Sequence, residues 1–593
     1  MLGSAATCLH RESIVHTNRS HLLAAAIAAT LVFQMGSAHA QHADASSADR
    51  HQQIDAIFAP WKNDATPGCA VGVSRNGQLD YAQGYGMSNM EYGVPITPQS
   101  VFHVASISKQ FTAFSIGLLA QEGKLSLKDD VRKYLPELPD FGKTITIDHL
   151  IHHTNGLREQ GQLLNMAGWR NDDLYTQGDV LWALSRQRQL NFAPGTEVVY
   201  GNAAYTLLAV IVQRVSGQSL RDFADARIFK PLHMDDTRFL DDYAEIVPRR
   251  ASAYSPRSGG GWVTNVPHIT HYGSTSLNTT VGDLLKWEQN LVDARVGGKP
   301  LVAMLQTPGR LNDGTGIGYG GGLRIGEYRG LRLISHDGAD NGFRADALLF
   351  PDQRVAVVAL CNGSTIVPAE LTRKVAAVYL GERMKDTAAP AIALSPAALS
   401  PLAGNYWSPQ TDEVVRLEIK DGALRQAGSP TSLEAIGDGL FRPADATQAT
   451  HEWRFMPRAA DASQRLRIRD FWPTTREFVR IDEPTPSTAT LNAFAGAYRS
   501  TEVDATYTVR IKEGRLAVRW PRRDEVMLDA VGGDRFVGSV GTVTFTRAAD
   551  GKIDGLTISN RRLRRLRADR LADAEATAIT SSPAALPEAL ANR

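Results

Sequence analysis

The feature that most constrains this chain is an internal repeat near its C-terminal end. "LAGNYWS" at 402–408 is matched by "FAGAYRS" at 494–500, and "LEIKDGAL" at 417–424 by "VRIKEGRL" at 509–516. The offset is 92 residues both times, with no gap between the matches. Each copy alternates apolar and polar residues about an Asp-Gly or Glu-Gly turn, which is β-hairpin chemistry. Copies of about 85 residues with further short strands, as at 466–470 and 542–547, predict two small antiparallel barrels. Two copies are too few for a solenoid. Ile419, Leu424, Ile511, Leu516 and Val518 read as barrel core.

The region before the repeat has a different pattern. Strand alternation appears at 69–75 and 78–84, and again at 331–335, 344–350 and 353–361. Helical periodicity lies between, at 106–122, 201–216 and 280–292. Strands at both ends with helices in the middle predict one α/β sheet closed by the two termini of the region. "DTAAPAIALSPAALSP" at 386–401 reads as a linker. The expected order is therefore an α/β domain over 41–385, the linker, barrels over 402–483 and 488–571, and a disordered tail over 572–593.

"LLAAAIAATLVFQMG" at 22–36 follows Arg11 and Arg19 and precedes "AHA" at 38–40. That pattern reads as an export signal over 1–40, cleaved after Ala40. The apolar run is short for a membrane span. The mature protein is expected to be periplasmic or secreted, with no integral membrane segment. A net charge of +1 gives no reason to propose a nucleic-acid or anionic-membrane partner. The basic stretch "NRRLRRLRADR" at 560–570 is the local exception, expected to be an exposed strand near a domain end. Once the signal is removed, Cys69 and Cys361 remain, either as two small buried residues or, in an exported protein, as a single bridge.

Ser106 and Lys109 sit in "FHVASISKQFTAF" at 102–114, ahead of an apolar helical pattern. A serine there is either the helix N-cap or a nucleophile. Positions i and i+3 share a helix face, so Lys109 is placed to take the serine proton if burial strips its own. "NFAPGTEVVYGNAAYTLLAVIVQRVSG" at 191–217 carries Tyr200, Gly201 and Asn202 where a helix begins. "LRLISHDGADNGFRADALLF" at 331–350 carries His336, Asp337 and Gly338 on a strand that leads into a hairpin. His149, His152 and His153 lack zinc-ligand spacing and read as a turn after a helix. No metal or cofactor is expected. Without a Gly-x-Ser-x-Gly elbow, an α/β-hydrolase reading fails.

Ser-x-x-Lys, Tyr-x-Asn and His-x-Gly, in that order and spacing, resemble the serine β-lactamase and penicillin-binding-protein superfamily. The nearer likeness is to the class C β-lactamase-like branch, in which tyrosine opens the second motif. "LIHHTNGL" at 150–157, "IFKPLHMDDTRF" at 228–239 and "GSTSLNTTVGDLLKW" at 273–287 support it, and the likeness covers roughly 53–380. The resemblance implies an antiparallel sheet flanked by helices and an acyl-enzyme at Ser106. Lys109 and Tyr200 would share proton transfer, with the choice of base left open. Asn202 would orient the lysine and the substrate amide. His336 stands where lysine is frequent and would hydrogen-bond Tyr200. The N–H groups of Ser106 and Ala339 would form the oxyanion hole, and Asp337 and Gly338 would border the substrate.

Two departures matter. The third motif reads His-Asp-Gly rather than Lys-Thr-Gly, so Asp337 is expected to disfavour substrates with a nearby carboxylate, unless it pairs with Arg324 or Arg332. Gly201 stands where serine or alanine is more usual, which loosens that turn. A class C-like domain followed by two lipocalin-like barrels resembles the bacterial D-aminopeptidases. That likeness implies an exported serine hydrolase releasing N-terminal D-residues from short peptides or amides. The alternatives are a carboxylesterase, a β-lactamase or D,D-peptidase, and an inactive domain that binds peptidoglycan fragments. The sequence does not give an oligomeric state.

Overall fold

The computed structural model describes residues 47–385, 389–444, 451–457, 463–469 and 474–572. The signal expected at 1–40, almost all of the tail and the start of the linker lie outside them. The chain divides into two compact units, residues 1–57 and 58–593. The first is helical over its described end. The second holds the sheet, both barrels and Ser106.

β1 (Cys69–Arg75) and β2 (Gln78–Tyr85) form a hairpin through Asn76 and Gly77, both at positive φ. Such a turn matches the twist of the flanking strands. The nucleophile-side helix α1 (Ser108–Gln121), α2 (Asn202–Ser216) and α3 (Val281–Asp293) come next. The chain then returns as β3 (Arg324–Tyr328), β4 (Leu331–Asp340), β5 (Phe343–Phe350) and β6 (Val355–Cys361). The sheet order is β3-β4-β5-β6-β1-β2, antiparallel throughout, so the two ends of the domain meet at β6 and β1 as the pattern predicted. β3 was not legible in advance; its sequence, "RIGEY", is an edge strand with no fully buried residue. α1 is buried from Ser108 to Leu119, including Lys109, Gln110, Thr112 and Ser115. A helix buried on all sides is a central one, and this burial removes Lys109 from water.

Cys69 and Cys361 face each other across β1 and β6 and are bridged. The bridge closes a loop with a sequence separation of 292. A native disulfide is typically worth about 2–4 kcal/mol to the folded state. The unfolding midpoint is therefore expected to fall on reduction, or in a Cys69→Ala, Cys361→Ala double variant. An unchanged midpoint would show that the strand pairing alone holds the sheet closed.

Both barrels are closed and eight-stranded, the first from Gly404–Trp407 to Thr475–Arg480 and the second from Gly496–Ser500 to Leu563–Arg570. The repeat has a structural reason. Tyr406 donates its hydroxyl proton to the Leu402 carbonyl (2.9 Å), and Tyr498, its counterpart, to that of Phe494 (2.7 Å). Leu424, Leu516 and Val518 are buried, while Ile419 and Ile511 pack at the edge of their cores. The first barrel has its own core. The core of the second is continuous with that of the catalytic domain. Tyr507 and Trp520 donate to the carbonyls of Met166 (2.9 Å) and Asn165 (2.8 Å). Arg158, fully buried, pairs with Glu502 and donates to the Arg564 carbonyl (2.9 Å). The second barrel is thus fixed onto the domain that carries Ser106.

Candidate active site

Ser106 lies in a tight turn, Ala105–Ile107, immediately before α1. Ala105 has φ +47°, a left-handed conformation uncommon for a residue with a Cβ and frequent at functional turns. Ser106 is not the cap of α1; Ile107 takes that position and makes no side-chain cap. The Ser108 hydroxyl stiffens the turn by donating to the Ala105 carbonyl (2.6 Å) and accepting from the Leu277 N–H (3.0 Å).

One helical turn on, Lys109 Nζ donates to Ser106 Oγ (3.0 Å), Asn202 Oδ1 (2.8 Å) and the Ser274 carbonyl (2.8 Å). These three contacts bring "SISK", "YGN" and "GSTS" to one point. Burial pulls the Lys109 pKa down to about 7; the Glu159 carboxylate opposes this and the Arg562 guanidinium adds to it. Lys109 Nζ also lies 4.9 Å from the centroid of the Tyr200 ring. Burial pushes the Tyr200 phenol well above its ordinary value, and the hydrogen bond with Ser106 offsets only part of that rise. At neutral pH the cluster therefore holds a protonated tyrosine beside a lysine near the midpoint of its titration.

Glu159 explains Gly201. Its Oε2 accepts from the Asn202 N–H (2.6 Å) at the start of α2, and a Cβ on Gly201 would lie 2.8 Å from that oxygen. Glycine leaves room for the carboxylate; the expected loosening of the turn is not what this position provides.

The third motif departs from expectation at His336, and at Asp337 it takes the ion-paired alternative. The ring nitrogens of His336 do not meet Tyr200. Nδ1 donates to the Asp337 carbonyl (2.6 Å), so Nε2 accepts from the Tyr319 hydroxyl (3.0 Å). Burial, reinforced by the Arg324 charge, pulls the His336 pKa down to about 3, and the imidazole is neutral. Asp337 is ion-paired with Arg324. Loss of water raises its pKa, but Arg324 outweighs that effect and holds the carboxyl below its usual range. A carboxylate paired in this way does not present the bare negative charge expected to repel a substrate carboxylate. Gly338 packs on the nucleophile turn: a Cβ there would lie 2.2 Å from the Val104 carbonyl oxygen. This contact sets the main chain of β4, with Ala339, beside Ser106, and both residues line the same cavity.

The three histidines have structural partners. The His149 side chain completes a capping box with Thr146, His152 pairs with Asp148 (3.1 Å), and His153 packs with tilted ring contacts among Tyr200, Tyr205 and Tyr319.

The cavity above Ser106 measures about 480 Å³. Its walls come from all three folded parts: Tyr200, Asn202 and His336 from the catalytic domain, Thr474 and Arg476 from the first barrel, and Arg561, Arg562 and Arg564 from the second. Thr474 Oγ1 accepts from the Val198 N–H (3.1 Å), and Arg564 pairs with Glu197 (2.8 Å), two and three residues before Tyr200. The stretch at 560–570 is therefore not simply an exposed strand. It is a hairpin, Ile553–Asn560 and Leu563–Arg570, whose turn enters the cleft. Sequence reasoning missed Glu159, Tyr319 and Arg562 as site residues.

Fold and site together define a serine hydrolase with a Ser-x-x-Lys nucleophile. The Beta-lactamase family model matches residues 54–381, and the chain belongs to that family. It is 26% identical over 454 residues to a D-aminopeptidase of Gluconobacter oxydans, covering 76% of this chain and 82% of that protein. It is 30% identical over 311 residues to penicillin-binding protein 4* of Bacillus subtilis, covering 49% of this chain and 67% of that protein. Among solved structures, the octameric penicillin-binding protein homologue from Pyrococcus abyssi has the same fold, with a TM-score of 0.53 at 23% identity, covering 73% of this chain and 99% of that chain.

Proposed function

We propose that this protein is an exported D-aminopeptidase, releasing N-terminal D-residues from short peptides or amides through an acyl-enzyme on Ser106. The observation that carries the reading is that residues of both barrels wall the Ser106 cavity, which narrows the approach to the nucleophile and favours a short chain end. The likeness to a D-aminopeptidase over four-fifths of that protein's length supports it.

Neutral Lys109 takes the Ser106 proton as Oγ attacks the substrate carbonyl. The N–H groups of Ser106 and Ala339 receive the oxyanion, a contribution of roughly 3–4 kcal/mol per donor. Tyr200, kept protonated by burial, gives its proton to the leaving amine and recovers one through Lys109. Asn202 fixes the direction of the ammonium by accepting one of its protons. Water then cleaves the acyl-enzyme by the reverse proton path.

Because the folded pKa of Lys109 is depressed, the base form is lost as pH falls through about 7. kcat/KM on a D-alanine p-nitroanilide is expected to rise along a limb centred near that pH. A limb centred near the ordinary lysine value would contradict the assignment of the base.

Hydrolysis of D- and L-alanine p-nitroanilides, a short p-nitrophenyl ester and a chromogenic cephalosporin, with Ser106→Ala as control, tests the substrate class. Turnover of the D-anilide alone, lost in the variant, is expected. Ester turnover alone would make the protein a carboxylesterase with the same machinery. The bridged cysteine pair is suited to an oxidising compartment and supports export. N-terminal sequencing of the mature protein, expected to start at Gln41, tests it.

A further inference from the structure

Among the described residues, six arginines line the cavity that holds Ser106, against two carboxylates. Four of them have an acidic partner: Arg324 with Asp337, Arg373 with Asp346 (3.9 Å), Arg476 with Glu413 (3.0 Å) and Arg564 with Glu197 (2.8 Å). Arg562 differs. Its main chain is anchored in the turn: the carbonyl accepts from the Glu159 N–H (3.1 Å) and Asn191 Nδ2 (3.0 Å), and the N–H donates to Asn560 Oδ1 (3.0 Å). Its guanidinium lies over the Tyr200 ring, 5.5 Å from the centroid of the ring that Lys109 also approaches. Among the described residues no carboxylate pairs with it. A guanidinium held on an aromatic face, with most of its planar donor fork unused, is built to bind a carboxylate bidentately.

We propose that Arg562 is a specificity-determining residue that anchors a substrate carboxylate, so that the preferred substrates are short D-peptides with a free carboxylate one or two residues beyond the scissile bond. The proposal rests on the D-aminopeptidase reading and reverses the expectation drawn from Asp337 in the sequence. Ser106, Tyr200 and Arg562 line one cavity, and an extended residue spans roughly 3.3–3.6 Å, which is the basis for placing the carboxylate one or two residues beyond the scissile bond. The carboxylate is either the C-terminal one or an acidic side chain, and both present the same geometry.

Three substrates separate these sources: D-Ala-Gly, its C-terminal amide, and D-alanyl-glutamic acid blocked as the α-amide, whose only carboxylate is in the side chain. At least one carboxylate-bearing substrate is expected to exceed the neutral amide by roughly 10–100-fold in kcat/KM, the worth of a charged hydrogen bond. The gain should lie mainly in KM and shrink with added salt. Preference for D-Ala-Gly assigns the C-terminal carboxylate, and preference for the glutamyl amide assigns the side chain. Arg562→Met should abolish the preference and Arg562→Lys restore part of it. Arg510→Met, on an exposed face of the same barrel, should leave the ratio unchanged. Arg562→Met should also move the acid limb of the pH profile upward, because the guanidinium charge depresses Lys109.

Equal kcat/KM on all three substrates, or a preference that survives in Arg562→Met, overturns the proposal. If esters are cut and D-peptides are not, the D-aminopeptidase reading has failed by itself. The acetyl esters of 3-hydroxybenzoic acid and 3-hydroxybenzamide then decide the anion site. Preference for the acid, lost in Arg562→Met, upholds the site, and no preference removes it.

Discussion

Lys109→Met is expected to lower kcat by about 10²–10⁴-fold while leaving the protein folded. The methionine fills the same volume along α1 and removes only the group that contacts Ser106 Oγ, Asn202 Oδ1 and the Ser274 carbonyl. Burial already disfavours the ammonium strongly enough to bring its pKa to about 7, so its loss does not strip the core of a strong ion pair. The unfolding midpoint should therefore move little while the rate collapses. Thermal unfolding beside single-turnover kinetics checks both halves. Full activity in the variant would make Tyr200 the base, although burial holds its phenol protonated.

Gly338→Ala should cost about 10²-fold in kcat/KM, although glycine carries no chemistry. Its new Cβ would sit 2.2 Å from the Val104 carbonyl oxygen, a main-chain atom with nowhere to go. β4 must then lift from the nucleophile turn, and a displacement of an ångström at the reacting groups has about that effect on rate. Overpacking of this kind also destabilises by about 1–3 kcal/mol. Gly326→Ala, in the neighbouring strand with nothing within 4 Å of the new methyl, is the control and should be silent. Equal activity of the two variants would mean that the approach of β4 does not position Ala339.

What was legible in the sequence follows from the range of the interactions. The barrels announced themselves because period-2 alternation and an exact repeat offset are local signals, and Tyr406 and Tyr498 repeat even a hydrogen bond. Ser106 and Lys109 are related by one helical turn, which a spacing rule captures. Tyr319 escaped notice because it pairs with His336 from a glycine-rich segment, "GIGYGGGLR", that has no period. The pairing of Asp337 with Arg324 was one of two options in the sequence; β3 and β4 lying side by side favours it, and β3 was not foreseen. Arg562 was hidden for a different reason. A run of arginines on a hairpin looks like a solvated face until the second barrel docks, and docking depends on Arg158, Tyr507 and Trp520, each far in sequence from the groups it meets. Glu159 and Gly201 likewise explain each other only once the loop after "LIHHTNGL" folds back on α2.

Ser106 is proposed to carry a D-selective acyl-enzyme. The most direct measurement is intact-protein and peptide mass spectrometry after brief mixing with D-alanine and L-alanine p-nitrophenyl esters, quenched in acid. An alanyl mass gain is expected from the D-ester, located on the peptide containing Ser106, absent in Ser106→Ala and much weaker with the L-ester. Label on another residue, or equal labelling by both enantiomers, would contradict it.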